Sequence, residues 1–227
     1  MALSGDEPMT RDPVPPDPVP RELPRGPHGL ARDVVEASQR ERMLDAIVQA
    51  VAAKGYASTT VADVVSRAGV SRKTFYEHFR DKEDCFLEAY DAGVELLMTE
   101  IRAAGDDAPD WQELMRARIR AYLARLAEEP AFARAYLIEV FAAGEAALER
   151  RRAVHARLSK FGRDLNVEAR REFPEMPEVP DEVFVAAFGA INELLSTYVG
   201  EGRTSELLEL QEPIEYVQMS LFGGPRR

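Results

Sequence analysis

The chain has 227 residues, 45% of them hydrophobic and 30% charged, with a formal net charge of −11 and one cysteine, Cys85. That length accommodates one large or two small domains around a packed core, and a lone cysteine excludes an internal disulfide and fits a reducing compartment. No apolar run approaches the roughly eighteen residues of a spanning helix, and no cationic segment precedes an apolar run at the start, so the cytoplasm is the expectation.

Residues 1–27 hold eight of the fifteen prolines, which leaves too little apolar pattern there to build a core. Residues 1–37 are therefore expected to be a flexible arm. Its arginines, Arg11, Arg21 and Arg25, leave two readings open, a solvated leader or an arm that enters a minor groove. Ser38 and Glu41 have capping-box spacing, and Met43, Ile47, Ala50 and Val51 form one apolar stripe, so a helix is expected from Ser38 to Lys54, ended by Gly55. Thr60 and Asp63 open the next helix by the same device. Val61, Val64, Val65 and Ala68 then give it a buried face.

Gly69 supplies a tight interhelical turn, Val70 fills the gap between the helices, and Ser71 caps a third helix. On that helix Arg72, Lys73, Tyr76 and Arg80 fall within one arc of about 100°, with Phe75 and Phe79 outside it. Asp81 caps a longer helix carrying Phe86, Tyr90, Val94, Leu97 and Ile101, which Gly105 to Pro109 interrupts. Helical stripes continue over Trp111–Glu128, Phe132–Ala143 and Glu145–Phe173. The second of these is expected to be the most buried. Beyond Pro174, Pro177 and Pro180, Asp181 opens a helix with Phe184, Phe188, Ile191, Leu195 and Tyr198 in register, and Leu207, Leu210, Ile214, Val217 and Leu221 make a last stripe. No strand pattern and no repeat appears, and the expected fold is all-α.

Charge is unevenly distributed. Residues 1–80 carry eleven Lys/Arg and eleven Asp/Glu, so the whole deficit lies in residues 81–227. Within 67–82, Arg67, Arg72, Lys73, Arg80 and Lys82 outnumber Glu77 and Asp81, a balance of +3. A small cationic tip on an acidic body suits local contact with a polyphosphate, because screening confines charge effects to about 10 Å at moderate salt.

The run Ser58 to Asp84, STTVADVVSRAGVSRKTFYEHFRDKED, resembles the DNA-binding signature of the tetracycline-repressor-type (TetR) family. The likeness rests on the A-G-V-S turn, the T-F-Y-x-H-F helix and the D-K-E that opens the next helix, within about forty-five residues from Arg40 to Asp84. It implies a three-helix helix-turn-helix domain, residues 38–81, followed by a helical regulatory and dimerisation domain, residues 82–227. It also implies a transcriptional regulator, most often a repressor, released from its double-stranded operator by a small apolar or amphipathic effector. An effector-independent architectural protein is the alternative.

Chemistry assigns roles to that surface. Thr59 and Thr60 offer hydroxyls and backbone N–H groups to a phosphate at a helix start. Ser71, Arg72, Lys73 and Thr74 occupy the leading turn of the reading helix. There arginine suits a bidentate guanine contact and threonine a thymine methyl. Tyr76, His78 and Lys82 match family positions that hold the phosphate backbone, although His78 also falls near Phe75 on the helical wheel and fits a core-edge histidine. Homodimerisation is expected through Phe184, Ala187, Phe188, Ile191 and Leu195 with Leu210, Ile214, Val217 and Leu221, edged by Ala186, Gly189 and Ala190; an intrachain core is the competing reading.

No ligand residue can be assigned in the regulatory half, where Trp111, Tyr122, Phe132, Tyr136, Phe141, Phe184 and Phe188 either enclose a pocket or fill a core. His28, His78 and His155 lack a second ligand at metal spacing, and no nucleophile-elbow, Walker or dinucleotide motif appears. Neither an enzyme nor a cofactor is expected. Cys85 reads as a small buried apolar residue and Arg150, Arg151 and Arg152 as a solvated face.

Overall fold

The computed structural model describes residues 32–221, so Arg11, Arg21, Arg25 and His28 lie outside the described residues. Among the described residues nine α-helices run α1 (Arg32–Lys54), α2 (Val61–Ala68), α3 (Arg72–His78), α4 (Lys82–Ala103), α5 (Trp111–Glu128), α6 (Pro130–Leu137), α7 (Glu145–Glu172), α8 (Asp181–Gly200) and α9 (Gln211–Leu221). Short 3-10 turns occupy Glu139–Ala142 and Thr204–Leu210, and there is no strand among the described residues.

Local capping chemistry sets the starts of α2 to α5. Thr60 accepts from the Asp63 N–H while the Asp63 carboxylate accepts from the Thr60 N–H, a complete capping box. Ser71, Asp81 and Asp110 likewise accept the N–H three residues ahead, at 3.0, 2.9 and 2.8 Å. The expected cap at Ser38 is wrong. Helix α1 begins at Arg32, and Ser38 lies inside it, 1% exposed. Capping-box spacing recurs by chance inside a helix, and the residues from Arg32 onward continue the turn.

Two other stretches divide. The expected helix Phe132–Ala143 starts earlier, with Pro130 at its first turn where a missing N–H is tolerated. It then gives way at Ile138 to the 3-10 turn, which leaves Phe141 55% exposed. The final stripe splits into the 3-10 turn Thr204–Leu210 and α9.

One core runs through the chain. Met43 and Ile47 of α1 join Val64, Phe75 and Phe79 on one side and Cys85, Phe86 and Tyr90 of α4 on the other. Helix α1 touches α2, α4 and α6, so the reading unit rests directly on the helices that follow it. Cys85 is fully buried, as expected, and burial pushes its thiol up to about 12. Helix α8 is long and apolar enough by composition to cross a membrane, with a mean hydropathy of 1.4. Its apolar content divides between a core face and an outer face, described below.

Candidate nucleic-acid interface and effector pocket

Helix α2 ends at Gly69, whose φ of 65° lies in the left-handed region where a side chain is strained, and Ser71 immediately caps α3. This short link turns α3 outward while Phe75 and Phe79, 0% and 2% exposed, fasten it to the core. Opposite those anchors Arg72 and Lys73 are exposed, and Tyr76 is 57% exposed with its ring edge-on to Phe75 at 5.4 Å. Arg72 has no hydrogen bond or ion pair among the described residues, and Lys73 reaches only Glu77, at 3.8 Å. Arg72 is thus presented without a competing partner, and Lys73 with one exposed and distant partner.

Several side chains expected to contact DNA are engaged within the chain instead. Thr59 is 2% exposed and donates its hydroxyl to the Gly55 carbonyl at 2.8 Å, so its side chain belongs to the α1–α2 link and not to a DNA surface. Thr60 is exposed, yet its hydroxyl and N–H are both engaged by Asp63, whose carboxyl is held well below the usual range by Lys54 and Thr60. Lys82 donates to the Tyr56 carbonyl at 2.8 Å with its ammonium 4.1 Å from the Tyr56 ring centroid. Burial lowers its pKa, which marks a tie between α4 and the α1–α2 link more than a phosphate hook. Arg80 lies beyond α3, which ends at His78, and pairs with Asp84 at 2.8 Å. The cationic tip therefore reduces to Arg67, Arg72 and Lys73. His78 is half-buried with its ring 6.2 Å from that of Phe79, at the core edge. Ser71 and Thr74 share a hydroxyl contact of 2.9 Å, and Thr74 stays partly exposed.

The nominated dimer residues need the largest correction. Phe184, Ala187, Phe188, Ile191, Leu195, Leu210 and Ile214 are each 9% exposed or less within one chain, so they form intrachain core. Only Val217 and Leu221, 37% and 41% exposed, face outward. The outer face of α8 carries Val185, Ala186, Gly189, Ala190 and Glu193, and a Cβ placed on Gly189 would meet nothing within 4 Å. Both faces of α8 are apolar, and periodicity alone selected the one that packs within the chain.

Three of those core residues, Phe188, Ile191 and Ile214, instead line a partly open apolar pocket with Tyr122 and Phe161. Its enclosed volume is about 40 Å³. Helices α4, α5 and α7 supply the rest of its wall, and α8 and α9 complete it. Beside it runs a buried polar chain. The Tyr122 hydroxyl donates to Asn192 Oδ1 at 2.8 Å, and Asn192 Nδ2 donates to His155 Nε2 at 2.6 Å. An amide donor requires that nitrogen to be unprotonated. Burial, assisted by Arg151, accordingly pulls His155 down to about 4. Of the three arginines read as a solvated face, Arg150 pairs with Asp91 and Arg152 with Glu145, both at 2.8 Å, while Arg151 lies over the Phe141 ring.

One contact had no sequence signal. Glu139, 8% exposed, accepts the Tyr56 N–H at 2.9 Å and lies 3.3 Å from Arg134. It joins the 3-10 turn after α6 to the link between α1 and α2, across 83 positions of sequence. Helix α6 also carries Phe132, whose ring stacks on Tyr136 at 5.5 Å and fills the space where Gly93 of α4 lacks a side chain. A continuous packed path therefore joins the pocket side of the molecule to the reading unit.

Comparison with known proteins agrees with this architecture. The family model for bacterial regulatory proteins, tetR family, matches residues 43–89, from within α1 to α4. The chain is 30% identical over 69 residues to the HTH-type transcriptional regulator YerO of Bacillus subtilis (strain 168), covering 30% of this chain and 24% of that one. That match spans about a quarter of the relative's length. The fold is shared with the fatty acid degradation regulator FadR from Bacillus halodurans, with a TM-score of 0.71 and 22% identity over 82% of this chain and 99% of that one. It is also shared with FadR from Bacillus subtilis, solved in complex with stearoyl-CoA, with a TM-score of 0.67 and 18% identity over 82% and 99%. Residues 43–89, in α1 to α4, thus carry a DNA-binding unit similar to that of the tetR family of bacterial regulatory proteins, and the helices beyond share their fold with these solved regulators.

Proposed function

We propose that this protein is a homodimeric, operator-binding transcriptional repressor of the cytoplasm, released by a small amphipathic effector. The observation that carries the reading is α3 itself, whose Arg72, Lys73, Thr74 and Tyr76 point outward from two buried phenylalanine anchors. Arg72 suits a bidentate guanine contact that contributes roughly 1–3 kcal/mol of discrimination. Lys73 neutralises a phosphate or reads a second guanine, and Tyr76 reaches the backbone. One such unit makes few contacts, so two are needed, placed about 34–36 Å apart to meet successive major-groove faces.

The outer faces of α8 and α9 supply the means of pairing. Val185, Gly189 and Ala190 with Val217 and Leu221 make an apolar surface with small residues at its centre, suited to a two-fold four-helix contact. This surface replaces the core residues first nominated.

Release follows as a population shift. An effector in the pocket favours a dimer whose reading helices no longer match the groove spacing. Glu139 and the Phe132–Gly93 contact offer the mechanical route. The stearoyl-CoA carried by one structural relative supports an acyl-bearing effector. The small enclosed volume, about 40 Å³, favours instead the effector-independent reading, in which residues 82–221 only dimerise. Genome-wide mapping of binding sites followed by footprinting tests the regulator reading. Discrete palindromic sites near promoters support it, and uniform coverage without footprints rejects it. Loss of those footprints on adding a ligand separates the effector-driven from the effector-independent reading.

A further inference from the structure

The pocket is walled by apolar side chains from five helices, among them Ile101, Ile119, Leu158, Ile191 and Ile214. Gly162 of α7, buried and without a side chain, leaves room in one wall. One cation breaks this apolar lining. Arg118 of α5 lines the pocket, its Nε is buried without a hydrogen-bond partner, and among the described residues no carboxylate forms an ion pair with it. Its guanidinium lies 5.3 Å from the centre of the Phe161 ring, a contact that occupies the flat face and leaves the in-plane N–H groups available. Burial lowers its pKa, and only Asp164 and Asp106 act on it through space.

A half-buried arginine whose Nε lacks a partner keeps its planar fork open to an anion, and that fork matches a carboxylate. An apolar pocket with a single placed polar group is also the usual form of a small-molecule site. We infer that this pocket binds a linear aliphatic carboxylate, its chain among the apolar walls and its carboxylate on the Arg118 guanidinium. The enclosed volume of about 40 Å³ holds only a few waters, so the chain enters by displacing side chains such as Met115 and Phe161. Because Ile214 and Gln218 of α9 line the same space, occupation pushes directly on a proposed pairing helix.

The inference rests on the proposed effector reading but is testable without DNA. Trp111, the only tryptophan, is buried one turn before Met115 on α5 and reports on the site by fluorescence. Full-length protein is titrated with dodecanoate, dodecanol and dodecanoyl-CoA. Dodecanoate should bind saturably and at least about ten-fold more tightly than dodecanol, as expected for a charge-assisted contact. Arg118→Met should reduce that preference to less than about three-fold while retaining dodecanol binding, since its apolar stem is kept. Gly162→Leu should weaken both ligands by filling the wall. Equal binding of dodecanoate and dodecanol, an undiminished preference in Arg118→Met, or no saturable binding at all overturns the assignment. Tighter binding of dodecanoyl-CoA than of dodecanoate also overturns it, because the thioester places no anion beside the chain. Failure of operator binding in a separate experiment would reject the regulator reading and leave these titrations unaffected.

Discussion

Substituting Glu139 tests whether the reading unit is fastened to the helices behind it. Its carboxylate accepts the Tyr56 N–H at 2.9 Å in a buried setting, and it also faces Arg134 at 3.3 Å. Glu139→Ala leaves that buried N–H without an acceptor, which costs about 1–3 kcal/mol. Loss of the partly exposed Arg134 contact adds about 0–1 kcal/mol. A total of about 1–4 kcal/mol corresponds to a Tm fall of roughly 2–16 °C for a chain of this size. Glu139→Gln keeps an oxygen acceptor and should lose about 1 kcal/mol. Thermal unfolding followed by circular dichroism reads both variants. In the operator-bound state Glu139→Ala should also alter the effector concentration needed for release, because the link between α6 and the α1–α2 connection is gone. An alanine variant within about 0.5 kcal/mol of the parent would refute the clamp.

Gly189→Arg should yield a folded monomer by light scattering with little change in secondary structure, since a side chain there meets nothing in its own chain. A variant that stays dimeric would reject the α8 outer face. In contrast, Ile191→Ala removes buried core and should destabilise the protomer by about 2–5 kcal/mol, measured by chemical unfolding. His155 is held down to about 4 by burial and Arg151, below its ordinary value of 6.5. Its folded state therefore favours the neutral ring, so its contribution is fully present above pH 6.5 and is lost as pH falls toward 4. His155→Gln should flatten the acid limb of the stability–pH profile in that window, and an unchanged limb would count against the buried Tyr122–Asn192–His155 chain.

Local chemistry made the reading unit legible. Thr60, Ser71 and Asp81 each cap the helix that follows through residues three positions away, and Phe75 and Phe79, which fall outside the cationic arc, are core. What failed depended on distant partners. Lys82 looks like a phosphate ligand until the chain brings the Tyr56 carbonyl and ring to it. Thr59 and Thr60 are adjacent and chemically alike, and only the turn after Gly55 decides which one is buried. On α8 both faces are apolar, so the sequence pattern identified a stripe without showing whether it met its own chain or a partner. Arg118 sits among other arginines of α5, and only the fold reveals that it alone among them borders the pocket.

The central claim is that Arg72 and Lys73 read DNA from a correctly folded α3. The most direct measurement titrates an operator duplex from the mapped sites, and a scrambled duplex, with the parent and with the Arg72→Ala, Lys73→Ala variant at fixed salt. The parent should prefer its operator by at least about 10³-fold. The variant should bind both duplexes alike and weakly, with an unchanged Tm and dimer state. A variant that keeps the parent's preference would contradict the account, because the reading surface would then lie elsewhere.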